Sequence, residues 1–273
     1  MMNIREIFFP TDLTAEADQA LEHVRLLAER FKASVTLYHA VEMPDPRYAH
    51  WAFAHGAEVW ARAEEVARDM LQRQADTLSA SHKVVVERQP SASRAIIARV
   101  HEDQPDLTVM ATHAREGLSR LLLGSVAAAV ISHSFRPVLC VREPDHGTPL
   151  PYRKILVPTD LSLASRLAFP LAALFARSFG AEVIGLHVRR PYTGFDVTEG
   201  AVWSFLQQDF AGLQVTAQVH TGSVWERIVE TARVERADLV VMATRGHDTV
   251  GDRVLGSNTD RVTRHAPCPV VVA

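Results

Sequence analysis

A glycine-rich segment near the end of the chain has residue types that suit an anion. Gly246 follows an apolar run, and after nine intervening residues Gly256-Ser257-Asn258 opens a predicted helix. Glycine lets backbone N–H groups approach an anion without a Cβ in the way, and a helix N-terminus adds free N–H donors and the positive end of the helix dipole. The segment is therefore a candidate phosphate site. The alternative is structural: Gly256 only makes a tight turn, and Ser257 or Asn258 only caps the helix.

Motifs of more specialised chemistry are absent from the sequence. The stretch from Gly251 to Gly256 has the glycine spacing of a Walker loop, but Ser257 stands where the phosphate-binding Lys belongs. There is no Gly-x-Gly-x-x-Gly after a strand, no Gly-x-Ser-x-Gly and no His-Glu-x-x-His, and the 13 histidines show no convincing metal-ligand spacing. We therefore expect no catalytic residues and no metal site.

Charge and cysteine content exclude several classes of partner. The 273 residues carry 29 Lys and Arg against 32 Asp and Glu, a formal charge of −3, which argues against nucleic-acid binding. The longest run without a charge or a strongly polar group, Leu121 to Ile131, is too short to span a bilayer. Two cysteines, Cys140 and Cys268, cannot make a disulfide framework. We expect a cytoplasmic protein with no membrane partner.

The chain repeats itself. The ten residues from Arg5 to Thr14 recur from Arg153 to Ser162, at an offset of 148, whereas Val109-Met-Ala-Thr112 recurs as Val241-Met-Ala-Thr244, at an offset of 132. The first copy thus holds 16 extra residues between about Ala40 and Lys83. We predict one domain at residues 1–145 (the first copy) and another at 151–273 (the second copy), joined by the proline-rich linker 143–151.

Each copy alternates short apolar runs with segments of helical period. Ile7-Phe-Phe9 and Ile155-Leu-Val157 are typical of parallel strands that are covered on both faces. The alternation predicts two α/β domains, each an open, Rossmann-like parallel sheet of about five strands. Such sheets bind ligands beyond the carboxyl ends of their strands, where the strand order reverses.

The motifs shared by the copies resemble those of the universal stress protein family. The second copy shows the Val-Pro-Thr-Asp160 start, Asp238-Leu-Val-Val-Met-Ala-Thr, the Leu-Gly-Ser257 turn and the ending His265-Ala-Pro-Cys-Pro-Val-Val-Val. The resemblance covers essentially both copies and implies adenine-nucleotide-hydrolase-like domains. It also implies that the last strands, Val138–Val141 and Val270–Ala273, pair the two copies within one chain. A homodimer is a further expectation.

The same resemblance implies a set of ligand-contacting residues in the second copy. Nucleotide-binding members carry Gly, two residues, Gly, nine residues, then Gly and Ser or Thr. In this pattern Ala243 replaces the first glycine, and Gly246, Gly256 and Ser257 match. The resemblance places Asp160 at the ribose or adenine, the backbone of Val188, after the second strand, at the adenine, and Gly222 near the ribose and phosphates. With Asn258, these residues predict ATP or AMP, with Mg²⁺ as an accompanying ion.

The first copy departs further from the pattern. Its weaker counterparts are Asp12, Ala40, Gly124 and Ser125. Ala111 and Ala114 replace both leading glycines, and Pro90, which has no N–H to donate, replaces the glycine after the third strand. Each added methyl group lies where a phosphate should approach the backbone. We therefore expect no nucleotide in the first copy.

Two pairs of equivalent residues also have structural interpretations. Asp12 and Asp160 suit caps for the helix that follows each first strand. His39 and His187 are interpreted as packed or hydrogen-bonded structural residues. A histidine at the end of a helix, as at His133 and His265, can bond the last carbonyls.

These observations predict a stress-response protein that binds ATP or AMP mainly in the second copy and acts by nucleotide-dependent association. Two alternatives stay open. One is a slow ATPase in the second copy, which is less favoured because no Lys or paired carboxylates accompany the phosphate turn. The other is a pseudo-dimeric interaction protein that binds no nucleotide.

Overall fold

A computed structural model describes residues 2–43, 56–112, 123–142, 150–189, 196–243 and 256–273. The chain divides into two compact units. The N-terminal unit comprises Ile4–Ala111 and Gly124–Arg136, and the C-terminal unit is mainly Pro137–Ala273. Both units are α/β, as predicted, and most strands are parallel.

Strands and helices alternate through the first copy. The elements are β1 Glu6–Pro10, α1 Ala15–Phe31, β2 Ser34–Glu42, α2 Gly56–Ala75, β3 His82–Gln89, α3 Ala92–Asp103, β4 Leu107–Ala111, α4 Ser125–His133 and β5 Val138–Val141.

Within the described residues, the second copy follows the same order and has the short helix α5 in addition. Its elements are β6 Lys154–Pro158, α5 Leu163–Arg166, α6 Phe169–Phe179, β7 Glu182–Arg189, α7 Glu199–Leu206, β8 Val215–Thr221, α8 Val224–Val234, β9 Leu239–Met242, α9 Ser257–His265 and β10 Val270–Val272. Each copy therefore has the five strands predicted from its apolar runs.

The sheet of the N-terminal unit has the order β3-β2-β1-β4, and its neighbouring strands are parallel. The chain moves outward from β1 to β2 and β3 and then returns to the other side of β1. The strand order therefore reverses between β1 and β4, which is where open α/β sheets bind their ligands.

The sheet of the C-terminal unit has the order β5-β10-β9-β6-β7-β8. Strands β10 to β8 are parallel to their neighbours, and their order reverses between β6 and β9. Strand β5 runs antiparallel to β10, with Cys140 opposite Val270. Both cysteines are buried free thiols, and burial raises their pKa.

The strands and helices of the C-terminal unit bury their apolar residues as the sequence pattern indicates. Ile155, Leu156 and Val157 of β6 are fully buried, as expected for a strand covered on both faces. Tyr152 packs against Phe175 of α6, with ring centroids 5.7 Å apart. No helix in the described parts of the chain is long and apolar enough to cross a membrane.

An aspartate before β4 and its counterpart before β9 each hydrogen-bond the start of the neighbouring strand, β1 or β6. Asp238 Oδ2 accepts the backbone N–H groups of Arg153 (2.7 Å) and Lys154 (2.9 Å). Asp106 accepts those of Arg5 and Glu6. Burial raises the pKa of Asp238, although the two N–H donors oppose that shift. The aspartate of the Asp-Leu-Val-Val-Met motif is thus structural.

Candidate functional site

The strand ends of the C-terminal unit bring several of the predicted site residues to one edge. Because β9, β6, β7 and β8 are parallel neighbours, their carboxyl ends share this edge. Ala243, Asp160 and Gly222 lie just beyond β9, β6 and β8, and Val188 is the penultimate residue of β7, between Asp160 and Gly222 in the spatial order. At about 4.8 Å between strands, they span roughly 14 Å. The loop after β6 lies at the reversal of strand order.

Asp160 organises the turn after β6. Its Oδ1 atom accepts hydrogen bonds from the backbone N–H (3.0 Å) and the hydroxyl group (2.5 Å) of Ser162. Ser162 is the residue that caps α5, since its Oγ accepts the N–H of Ser165. The interpretation of Asp160 as a helix cap is therefore wrong, because the carboxylate lies two residues before the cap and holds it in place.

The first copy builds the same turn. Asp12 Oδ1 accepts from the backbone N–H (3.2 Å) and the hydroxyl group (2.7 Å) of Thr14, which precedes α1. The cap interpretation is wrong for Asp12 as well. Leu13 and Leu161 both have a φ of 63°, in the left-handed region that is unusual for leucine. Sequence reasoning missed this shared backbone strain, which the Asp-centred hydrogen bonds maintain.

The histidines at the strand ends are structural, as predicted. His39 Nδ1 lies 2.9 Å from the carbonyl oxygen of Thr11, and His187 Nδ1 lies 2.9 Å from that of Thr159. Since a carbonyl only accepts, each Nδ1 carries the proton. His133 Nδ1 likewise bonds the carbonyl of Ala129, within its own helix.

Val188 and Ala40 lie within β7 and β2 rather than after them, which corrects their predicted placement. Val188 stands opposite His220 of β8. The carbonyl of Leu186 accepts the N–H of Thr159, on the β6 side. Backbone groups alternate in direction along a strand, so those of Val188 face the same side, beyond the end of β6. A planar base at this position would meet a backbone donor and acceptor.

The turn after the third strand differs between the copies by one residue. In the second copy Gly222 alone separates Thr221, the last residue of β8, from Ser223, which precedes α8. In the first copy the residue equivalent to Thr221, judged by its pairing with the second strand, is Arg88. Two residues, Gln89 and Pro90, then precede Ser91. The register therefore corrects the one-for-one comparison of Gly222 with Pro90.

This length difference explains why the second copy needs glycine. Gly222 has a φ of 144°, which L-residues rarely adopt, and a Cβ there would lie 2.9 Å from Nε of Arg227. Its N–H donates to the carbonyl of Arg189. A cationic side chain, that of Arg227, thus lies beside the backbone of Gly222.

Gly256 and Gly124 start α9 and α4 in nearly the same conformation. Their φ and ψ angles are −58° and 139°, and −56° and 143°. Gly256 is itself the cap residue and Ser257 the first helical residue, so the structural interpretation with Ser257 or Asn258 as cap is wrong. Among the described residues, no side chain caps the start of either helix. The first N–H groups of each helix therefore keep their capacity to bind an anion.

Thr259 ties the start of α9 to the end of β9. Its buried hydroxyl donates to the carbonyl of Ala243 at 3.1 Å. The first copy has Ala127 at the equivalent position, so this link is absent there. Ala243 is buried, at 8% exposure. Sequence reasoning missed Thr259, although a threonine in place of alanine at a repeated position was a readable signal.

In the first copy, a carboxylate of the chain itself binds the N-terminus of the helix after the third strand. Glu42, at the end of β2, accepts the N–H of Ala92 at 2.7 Å through Oε1. This is the first residue of α3, so Glu42 holds the place that an anionic ligand would take at this helix N-terminus. Sequence reasoning did not identify Glu42.

A polar cluster further separates the two copies. The buried Tyr38 donates to Glu87 (3.1 Å), which also pairs with Arg99 (2.6 Å). Burial opposes ionisation of Glu87, but the hydrogen bond and charge of Arg99 hold its pKa below the usual value. The second copy has His220 and Thr231 in the places of Glu87 and Arg99, joined at 3.2 Å.

Some predicted positions lie outside the described residues. They are Gly246 of the second copy and Ala114 of the first, and the same holds for most of the phosphate turn, residues 244–255. Within the described ranges, no group of three or more His, Cys, Asp and Glu side chains could hold a metal ion.

Comparison with known proteins gives one consistent family. The sequence model of the universal stress protein family matches residues 3–142, 151–204 and 199–273. A universal stress protein of Mycolicibacterium smegmatis is 28% identical, over 97% of this chain and 96% of its own. One from Mycobacterium tuberculosis H37Rv is also 28% identical, over 90% of this chain and 88% of its own.

A solved structure has the same fold along the whole chain. The crystal structure of a universal stress protein from Archaeoglobus fulgidus covers 98% of this chain and 97% of its own, with a TM-score of 0.73 and 20% identity. The family match, the repeated Asp-centred turn and the shared strand order agree. The chain belongs to the universal stress protein family, with two copies of the family's α/β fold in sequence.

Proposed function

We propose that the C-terminal unit binds an adenine nucleotide, ATP or AMP, at the carboxyl ends of β9, β6, β7 and β8. The observation that carries the proposal is a pair of helix N-termini at this edge, α8 after Ser223 and α9 after Gly256. No side chain of the described residues caps either of them. Their N–H groups and dipoles suit phosphate oxygens. A universal stress protein that acts by nucleotide-dependent association would use this edge as its sensor.

The geometry of the edge supports the remaining contacts of this proposal. The backbone of Val188 faces beyond the end of β6, where an adenine base would find one donor and one acceptor. Asp160 lies in the adjacent turn, beside the ribose or the base. Gly222 leaves room for the sugar and phosphates, and Gly246, Gly256, Ser257 and Asn258 would surround the phosphates. Mg²⁺ would accompany ATP through phosphate oxygens.

The N-terminal unit is proposed to bind no nucleotide. Glu42 already occupies the start of α3, and its negative charge would repel a phosphate. Ala111 and Ala114 add methyl groups near the phosphate path, and Pro90 offers no N–H group. Asp12, Ala40, Gly124 and Ser125 keep their positions without a complete site around them.

The association of the copies is part of the same proposal. We propose that the two copies pair through their last strands, which the antiparallel register of Val138 with Val272 supports. The two buried free thiols support a reducing compartment such as the cytoplasm. Turnover of bound ATP and a purely structural pseudo-dimer are the competing functions.

Isothermal titration with ATP, ADP and AMP tests nucleotide binding, and the chain offers a matched pair of variants. Gly256 and Gly124 start helices in the same conformation, so valine at either position makes a similar change to the fold. We expect Gly256→Val to weaken binding at least tenfold, because its side chain blocks the approach to the N–H groups of α9. Gly124→Val should bind like the wild type.

Three results would decide among the functions. Loss of binding only in Gly124→Val would move the site to the first copy. No binding to the wild-type protein would leave the pseudo-dimer. Release of phosphate from ATP faster than about one per minute would favour an enzyme, although typical enzymes turn over near ~10 per second.

A further inference from the structure

Helix α2 carries an exposed apolar stripe in addition to its buried face. Ala67, Leu71 and Ala75 pack inward. Val59, Val66 and Met70 are exposed at 60%, 45% and 41%, and their spacing of seven and four residues puts them on one side of the helix. At 1.5 Å per residue the stripe is about 16 Å long. Apolar side chains aligned in this way favour a partner helix.

The charges beside the stripe are arranged so that a second, antiparallel copy of the helix would present opposite charges to them. Among the exposed charged side chains of α2, Glu58, Arg62, Asp69 and Arg73 lie on the side of the helix next to the stripe, whereas Glu65 and Arg68 lie further round it. About a point between Glu65 and Val66, the position of Arg62 maps onto that of Asp69, and Glu58 onto Arg73. A second α2 laid antiparallel across a two-fold axis at this point would therefore face every one of these charges with its opposite.

These four charges are free to take such partners. No ion pair joins Glu58, Asp69 or Arg73 to another side chain within the described residues, and Arg62 makes only an exposed pair with Glu65, at 3.2 Å. An exposed pair of this kind contributes little and rearranges easily. Glu65 lies further round the helix, away from Val66 and Met70.

The charges on the other sides of α2 are already used within the chain. Glu64 pairs with Arg68 and with Arg88 of β3. On the side of α1, Gln74 donates to Asp18 at 2.9 Å, and Arg25 pairs with Glu22. These other sides of α2 therefore add no unpaired charge next to the stripe.

We propose that α2 is an interaction surface for a second copy of this chain, packed antiparallel through Val59, Val66 and Met70 and aligned by Arg62–Asp69 and Glu58–Arg73 ion pairs across the two-fold axis. A helix pair about 30 Å long buries less than a standard interface of ~1,600 Å². The association is thus weak and depends on protein concentration and ionic strength. It is separate from pairing through β5 and β10 and does not depend on nucleotide.

Sedimentation velocity of the full chain over a range of concentrations tests the surface. Arg62→Asp and Asp69→Arg should each weaken self-association about tenfold, because each turns two attractive contacts into repulsive ones. The double variant Arg62→Asp/Asp69→Arg should restore it. An equimolar mixture of the two single variants should associate more tightly than either alone, since each supplies the charge that the other lacks.

An apolar control completes the design. Val66→Lys should abolish the dimer, whereas Val234→Lys, at a 73% exposed site on α8, should not change it. Circular dichroism checks that each variant is folded. A wild-type chain that stays monomeric at all concentrations would overturn the proposal, as would a dimer unaffected by Arg62→Asp or a double variant that fails to restore association.

Discussion

At the scale of single residues, burial alone gives His23 a pH-dependent effect on stability. His23 of α1 is 3% exposed, and desolvation lowers its pKa to about 4 from 6.5. The unfolded chain takes up a proton below pH 6.5, but the native chain does not until about pH 4. Stability from this residue is therefore present above pH 6.5 and lost as pH falls towards 4, by about 3 kcal/mol.

Urea unfolding at pH 7 and pH 4.5 checks this effect against His23→Leu, which has no titrating group. We expect the wild-type chain to lose more stability than the variant between these two pH values. Equal losses in both proteins would show that His23 takes up its proton without unfolding.

Thr108 is a second residue whose surroundings can be tested. It is fully buried in β4, and its hydroxyl has no hydrogen-bond partner among the described residues. The equivalent residue of the second copy is Val240, which occupies the same register next to the central strand. We predict that Thr108→Val raises the free energy of unfolding by about 1–2 kcal/mol, since it removes an unpaired polar group with little change of shape.

Chemical denaturation of Thr108→Val and of the reverse change Val240→Thr measures both directions. The second variant should lose stability by a similar amount. A destabilised Thr108→Val would mean that the hydroxyl has a partner that the described residues do not include.

At the scale of elements, the turn between β8 and α8 depends on one glycine. Gly222→Ala should cost about 1–3 kcal/mol, because alanine must adopt a φ of 144° and its Cβ would press on Arg227. Gly200→Ala, at the start of α7, is the control: its Cβ meets only Thr198 Oγ1, at 3.8 Å, and it should be neutral or slightly stabilising. Thermal unfolding distinguishes the two. Equal effects would contradict the assigned backbone strain.

The elements were largely predictable from the sequence, whereas the connections between them were not. Unalternated runs such as Ile155–Val157 identified buried strands because apolar periodicity reports burial directly. The repeat in the sequence did not reveal where the offset between the copies changes. Strand pairing shows that residues of β3 and β8 correspond at an offset one residue larger than the helices that follow them. That difference decides why Gly222 is glycine, and only strand pairing shows it.

The site was predictable in position but not in its contacts. The repeated Val-Pro-Thr-Asp motif and the rule for strand ends placed Asp160 and Asp12 correctly at the edges. Their hydrogen bonds to Ser162 and Thr14 required coordinates, since a carboxylate near a helix start has several local partners. Glu42 was missed because it meets Ala92 from 50 residues away, a contact that no local pattern encodes.

At the scale of the whole molecule, the two copies have kept one fold and diverged at their edges. The Asp-centred turn, the left-handed leucine and the histidine bond are repeated. The helix after the third strand differs: Glu42 accepts the first N–H in the first copy, whereas no side chain of the described residues caps this helix in the second. We therefore propose ligand binding for the second copy only, with the first copy as its structural counterpart.

The most direct test of this assignment is a nucleotide titration followed by the backbone amide resonances of the full chain. Upon addition of ATP or AMP, we predict shifts of the Val188, Gly222 and Ser257 amides that saturate together, with Ala40 and Ser125 unchanged. Shifts centred on Ala40 and Ser125, equal shifts in both copies, or no shifts at any nucleotide concentration would contradict the account.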